Sequence, residues 1–342
     1  MPRVKNTGQT RRRGAWLATA ALVGVVGVAG AGTAEARGRG PQAGDLITVS
    51  LAELRPTQPA IGYDQIYYKL GRYAAEPDKA FDDWCEANGQ GEADEVTSRS
   101  RLDDARTFSC TIPLGEETED SIAVMKTVVI GPGGKLYLTD GHHTFTSFWE
   151  AQGGGSDTRI RVRVVDNLSD LSMPAFWREM QAQNWVWLRD GDNRPITANR
   201  LSRHIGLRSL GEDPYRALVY FTRDIGYAQP DDATEFLEFY WASWVRENYD
   251  LDDYDLADFD TYLALVRQVS EDMVALDPDT VVAGGRTAAE LGRLAEWNDG
   301  EPEDDGEWEK LSRPITDDKP GKLAYALEYR ESVADEHHHR AA

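Results

Sequence analysis

The run from Ile122 to Glu150 restricts the fold more than any other part of the chain. Ile122 to Ile130 and Lys135 to Leu138 are strand-like, and Gly131-Pro132-Gly133-Gly134 between them punctuates a hairpin turn. Thr139-Asp140-Gly141-His142-His143 follows, and then a helix-like segment, Thr144 to Gln152, that stops at Gly153-Gly154-Gly155. The glycine cluster before Lys135 is a turn and not a phosphate loop. No Ser or Thr follows the lysine, and a strand comes next where such a loop needs a helix.

The remaining pattern supplies the other parts of an α+β fold. Leu46-Ile47-Thr48-Val49 is a short β run, Ser50 caps a turn over Leu51 to Leu54, and Arg55-Pro56 ends it. Tyr63 to Tyr73 is helical. Glu76 to Thr111 is polar and weakly periodic and reads as a loop-rich insertion. Arg159, Arg161 and Arg163 alternate with Ile160, Val162 and Val164, which predicts a strand over Arg159 to Val165 with one buried and one cationic face. From Met173 onward helices dominate: Pro195 to His204, Pro214 to Gly226, Ala233 to Tyr249 and Asp258 to Leu276. The expected plan is a small mixed α/β N-terminal domain over 45–170 with its insertion at 76–111, then a helical domain over 171–298. An acidic linker and peripheral tail over 299–342 complete it. Phe236, Phe239, Tyr240, Trp241 and Trp244 have the spacing of a helical core face. Asp190-Gly191-Asp192-Asn193 lacks the downstream Glu of a calcium loop and reads as a solvated turn.

Residues 1–36 read as an export signal. Arg11-Arg12-Arg13 precede a small-residue apolar stretch from Ala15 to Ala29, and Ala34-Glu35-Ala36 offers a cleavage site, followed by a linker over 37–44. The apolar run is shorter than the roughly 20 residues of a spanning helix, and no later segment approaches one. Losing five basic residues and one acidic residue takes the formal net charge from −22 to −26. Such a surface repels a phosphate backbone, which disfavours long nucleic acid as a partner and favours a small phosphorylated substrate or anion. In an oxidising compartment the only two cysteines, Cys85 and Cys110, are free to pair, and a disulfide there would tether the polar insertion; two separate buried thiols are the other reading.

The chemistry concentrates at Asp140 to Thr144. The first N–H groups of the helix that begins there attract anions, Gly141 permits close backbone approach, and His142 and His143 offer acid–base chemistry near neutral pH. Asp140 is placed to orient an imidazole or to ligate Mg²⁺ or Mn²⁺. The same residues also suit a plain capping turn, with Asp140 as its cap.

Several of these stretches together resemble one family. "LAELRPTQ" (Leu51 to Gln58), "KTVVIGPGGKLYLTDGHHTFTSFWE" (Lys126 to Glu150) and "IRVRVV" (Ile160 to Val165) resemble the ParB/sulfiredoxin superfamily. "LRPTQPAIGYDQIYYK" (Leu54 to Lys69), "DPYRALVYFTRDIGY" (Asp213 to Tyr227) and "EFYWASWVR" (Glu238 to Arg246) are similar to its ParB-like nuclease branch. The resemblance implies a phosphate cradle at Asp140, Gly141 and Thr144, with His142 and His143 as general acid or base. It further implies that Gln58 positions a nucleophile or water and that Lys69 neutralises charge on a phosphoryl group; a turn residue and a surface lysine are their plainer readings. Thr144 stands where relatives carry a basic residue, so Lys69 or the Arg159/Arg161/Arg163 face is expected to replace that charge. His142 stands where sulfiredoxins carry their cysteine, which excludes sulfinic acid reduction. Three functions follow in order: an exported phosphoesterase or nuclease, a non-catalytic anion- or nucleotide-binding module, and a small-molecule kinase like the free-serine kinases. The export reading predicts that mass spectrometry of the protein recovered outside the cytoplasm finds Arg37 as the first residue; a mature chain retaining residues 1–36 would contradict it.

Overall fold

The computed structural model describes residues 40–230, 233–297 and 306–341, with side chains described through residue 334. The expected export signal over 1–36, most of the linker after it, the acidic stretch at 298–305 and the His337 to His339 side chains lie outside the described residues.

The chain opens with strand β1 (Leu46–Ser50), a single 3-10 turn (Leu51–Glu53), β2 (Leu54–Pro56) and the two-residue β3 (Ala60–Ile61). Helices α1 (Tyr63–Ala75), α2 (Asp78–Ala87) and α3 (Glu119–Ala123) follow. Next come β4 (Thr127–Gly131), β5 (Lys135–Leu138), α4 (His142–Glu150) and β6 (Arg159–Asn167). The remainder is α5 (Met173–Ala182), β7 (Gly211–Glu212), α6 (Pro214–Phe221), α7 (Leu237–Asn248), α8 (Phe259–Ala275), β8 (Val281–Ala283), β9 (Arg286–Thr287), α9 (Glu307–Ser312) and α10 (Lys322–Ala341). The fold class is α+β, with the sheet in the N-terminal part and helices dominating the C-terminal part, as expected.

Five strands form one mixed sheet in the order β1-β6-β4-β5-β2. β1 and β6 run antiparallel, β6 and β4 parallel, β4 and β5 antiparallel through the predicted hairpin, and β5 and β2 parallel. Every residue of the central β4 is buried, because its two faces are covered by different helices. Val128 and Ile130 pack with Ile66, Leu70, Phe81, Trp84, Phe145 and Phe148 from α1, α2 and α4. Val129 packs on the opposite side with Tyr137 and with Phe176 and Met180 of α5. The alternation in β6 behaves as read: Ile160, Val162 and Val164 are buried on one face, and Arg159, Arg161 and Arg163 lie on the other.

Four expectations need correcting. The strand expected from Ile122 begins only at Thr127, since Thr118 and Ser121 form a reciprocal capping box that winds the preceding residues into α3. The insertion at 76–111 contains α2, and it is ordered by apolar burial: Phe108 packs edge-on against Phe81 and Trp84, with ring centroids 4.8 and 4.9 Å apart. The helix expected over Pro195 to His204 is a single 3-10 turn at Ala198–Arg200. The C-terminal segment is not peripheral. α10 lies along α1 with Leu323, Ala324 and Ala326 buried, and the two backbones meet where a Cβ on Gly71 would stand 2.4 Å from the Tyr325 carbonyl oxygen. Arg330 of α10 reaches Asp64 of α1 at 3.0 Å. Burial raises the Asp64 carboxyl pKa, against the opposing pull of Arg330 and Tyr262.

The two expected bodies also merge, because Pro41–Ala342 forms one compact unit. α1 is the reason: Ile66 and Leu70 enter the core beneath the sheet while Tyr68, on its other side, enters the core built by α6, α7 and α8. Among the described residues no helix is long and apolar enough to cross a membrane.

Cys85 and Cys110 form the expected disulfide, with Cα atoms 5.7 Å apart and a sequence separation of 25 residues. Closing that loop removes chain entropy worth about 3.5 kcal/mol from the unfolded state. Reduction should therefore lower the melting temperature by several degrees. Calorimetry with and without reductant checks this, and an unchanged transition after complete reduction would contradict it.

Candidate functional site

The turn before α4 is built on glycine for two reasons. Gly141 adopts φ 101°, and a Cβ there would stand 2.7 Å from the Lys126 side chain. Its conformation turns the chain from β5 into α4, whose first intrahelical bond runs from Phe145 N–H to Gly141 O. The N–H groups of His142, His143 and Thr144 precede that bond and point out of the helix end, the arrangement that favours an anion.

Both imidazoles face inward. His142 Nε2 accepts the Thr57 backbone N–H at 3.0 Å, and His143 Nε2 accepts the Gly62 N–H at 3.1 Å. Accepting from an N–H requires each Nε2 to be unprotonated, so each ring is neutral with its proton on Nδ1. The surroundings agree. Burial pushes the His142 pKa down to about 3 against the Asp140 charge, and burial followed by Arg216, His142 and Arg223 holds His143 well below the ordinary histidine range. This corrects the expectation of a histidine general base: the lone pair that would take a proton is occupied, and the two rings instead staple α4 to the β2–α1 connection.

The residues predicted as catalytic or phosphate-binding, Gln58, Lys69, Asp140, Gly141, His142, His143 and Thr144, line one cleft of about 750 Å³. Gln58 is buried, with its Nε2 donating to Ala60 O at 2.7 Å. Lys69 is held at 2.6 Å by Asp83, which also accepts the Tyr73 hydroxyl. Burial alone would lower the Lys69 pKa, but Asp83 and the nearby Tyr220 and Tyr68 outweigh it and raise it, so the ammonium stays charged. Of the three strand arginines only Arg163 lines the cleft; Arg161 is ion-paired with Glu117, and Arg159 is exposed.

The cleft contains residues that sequence reasoning missed. Arg216 and Arg223 rise from α6 and its end and share the carboxylate of Glu238 on α7, Arg216 at 3.6 Å and Arg223 more closely. Burial acts to raise the Glu238 pKa, yet the two guanidinium groups bring it down to about 2, so the carboxylate is charged. Arg216 is only 4% exposed. Among the described residues its Nε and Nη1, and Nε of Arg163, are buried with no hydrogen-bond partner. Buried donors without acceptors cost about 1–3 kcal/mol each, and those in the cleft wall are positioned to donate to an incoming acceptor. The signal lay in the "DPYRALVYFTRDIGY" run: Arg216 and Arg223, seven residues apart, stand amid apolar residues that must be buried.

Asp140, the expected metal ligand, holds Lys126 at 3.2 Å and accepts the Gly141 N–H at 2.7 Å. No group of three or more His, Cys, Asp or Glu side chains able to hold a metal ion occurs among the described residues. Asp140 is thus engaged by a cation and a backbone N–H, and no second carboxylate or histidine joins it in a divalent-cation cradle among the described residues.

Residues 47–247 match the family model described as "Putative ParB-like nuclease". No functionally curated protein matches the chain. Among solved structures, the chain matches the crystal structure of protein Atu1540 from Agrobacterium tumefaciens at 21% identity and a TM-score of 0.45, over 66% of this chain and 91% of that one.

The neutral state of His142 has a thermodynamic consequence. Its folded pKa is depressed below the unfolded value, so its contribution to stability is intact above about pH 6.5 and is lost as the unfolded state takes up a proton at lower pH. His142→Gln can keep the acceptor for Thr57 without titrating. Between pH 7 and pH 5 the variant should lose about 2 kcal/mol less stability than the parent protein, read from urea unfolding at both pH values. Equal losses would show that the ring is protonated in the fold.

Proposed function

Because the chain belongs to the ParB-like nuclease family, we propose that its cleft binds the phosphate group of a small phosphorylated compound and hydrolyses the ester. The observation that carries this reading is Arg216, nearly fully buried yet with two guanidinium nitrogens free of partners in the cleft wall. Arg163 adds a second unpartnered donor, and the start of α4 adds backbone N–H groups. Together these replace the cation lost where Thr144 stands. Charge developing on a phosphoryl group in the transition state would be met by donors already in place, and preorganised donors of this kind act without reorganisation cost.

The cleft is not basic overall. Lys69, Lys126, Arg163, Arg216 and Arg223 share it with Asp83, Glu86, Asp140, Glu235 and Glu238. Recognition would therefore rest on aimed hydrogen bonds rather than on bulk attraction, which suits a small ligand better than a long polyanion in a chain of net charge −22. Export as a mature chain starting at Arg37 belongs to the same reading and places the substrate outside the cytoplasm. A second reading, anion binding without turnover, is favoured by the occupied Nε2 atoms of His142 and His143.

The first experiment is a panel of nucleotides, sugar phosphates and single- and double-stranded DNA, each with and without Mg²⁺ or Mn²⁺. Binding of inorganic phosphate by calorimetry runs beside it. Arg216→Met should weaken phosphate binding by about ten- to a hundredfold, the value of a charge-assisted hydrogen bond. Unchanged affinity in that variant would refute the assignment of the cleft.

A further inference from the structure

A hydrolytic cleft needs a proton acceptor, and the residues first expected to serve are engaged elsewhere. Both histidine Nε2 atoms accept backbone N–H groups. Of the five carboxylates that line the cleft, Asp83 holds Lys69 and Tyr73, Asp140 holds Lys126 and the Gly141 N–H, and Glu238 holds Arg216 and Arg223. Glu86 is exposed on α2, on the same helix as Asp83. Glu235 remains. It is half-buried and lies on the segment leading into α7, and Asp140, Glu238, Lys126 and Arg163 are the charges that act on it.

The backbone beside Glu235 is held in a conformation that its sequence does not favour. Phe236 caps α7 with φ 61° and ψ 27°, left-handed geometry that a bulky residue rarely adopts. The Phe236 ring is fixed among Trp187, Phe239 and His142, at centroid distances of 6.2, 6.3 and 6.5 Å. Strain of this kind persists only where packing over-determines it, and it clusters at functional sites. Here the anchored ring fixes the approach of the chain that carries Glu235 along the cleft wall.

We propose that Glu235 is the general base of the cleft, acting on water beside a phosphate held by Arg216 and Arg163; this rests on the phosphoesterase reading above. Glu235 takes one proton from the water as the water oxygen forms a new bond to phosphorus. The ester P–O bond breaks on the opposite side, and the leaving oxygen takes a proton from solvent. Glu235 then returns its own proton to solvent, so the net change is one water consumed, one alcohol and one phosphate formed. The surroundings suit the role, because burial, Asp140 and Glu238 together raise the Glu235 pKa to about 7. A base works best near the operating pH. The same titration has a second effect: protonation removes a negative charge from the cleft, so as pH falls through 7 the parent protein should gain phosphate affinity relative to Glu235→Gln, whose side chain does not titrate, while its turnover declines.

The test uses the mature protein, p-nitrophenyl phosphate and bis-p-nitrophenyl phosphate as substrates, and inorganic phosphate as the binding probe. Glu235→Gln should lower kcat by about a hundredfold or more, abolish the limb of the pH profile near 7, and leave phosphate bound within about threefold of the parent protein at pH 6. Glu235→Asp should recover part of the rate. Turnover of Glu235→Gln close to that of the parent protein, or loss of rate and phosphate binding together, would overturn the assignment. A parent protein that binds phosphate through Arg216 without hydrolysing either ester would overturn the general base and leave the anion site standing. Failure to bind phosphate at all would overturn both.

Discussion

The structure depends on a pair of hydrogen bonds in which histidine is the acceptor. His142 and His143, adjacent at the start of α4, take the N–H groups of Thr57 and Gly62 from two points of the β2–α1 connection. Those two N–H groups have no strand partner, and burying them unpaired would cost several kcal/mol. The rings satisfy them and so fix where α4 begins, where α1 begins and how far apart the two helices stand. Gly141 is then confined to its left-handed turn against Lys126, and the free N–H groups of α4 are aimed into the cleft.

From that fixed corner the cleft is closed by residues far away in sequence. α6 and α7 bring Arg216, Arg223 and Glu238, and β6 brings Arg163 from the face of the sheet that the strand alternation leaves polar. α1 couples the two halves by contributing to both cores, and α10 buttresses it through Asp64 and Arg330. The site thus sits on packed helices and strands, which hold donors in place better than loops would.

The parts that were legible in the sequence are local. The hairpin, the Asp140-Gly141 turn and the alternation in β6 each declare themselves within a short window, the Cys85–Cys110 pair follows from there being only two cysteines, and all four are present. What escaped needed contacts across long separations. α2 hid in a run of acidic residues because its apolar face, Phe81, Trp84 and Cys85, makes sense only against Phe108 and the sheet. α10 looked peripheral because the partner of its Arg330, Asp64, is buried 266 residues away in sequence. The histidines were legible as a site but not in their role, since nothing near them in sequence announces that Thr57 and Gly62 will claim their nitrogens. Arg216 stood in plain view as a charge in an apolar helix, and only the fold brings it into one cleft with the start of α4.

The claim at the centre of this account is that the Arg216–Arg163 wall and the N-terminus of α4 together form an anion site. Crystals of the protein soaked in tungstate, a heavy phosphate analogue visible by its anomalous scattering, test it directly. The account predicts one strong peak within hydrogen-bond distance of Arg216 and the first N–H groups of α4. A cleft without tungstate in crystals that bind it elsewhere would contradict the account.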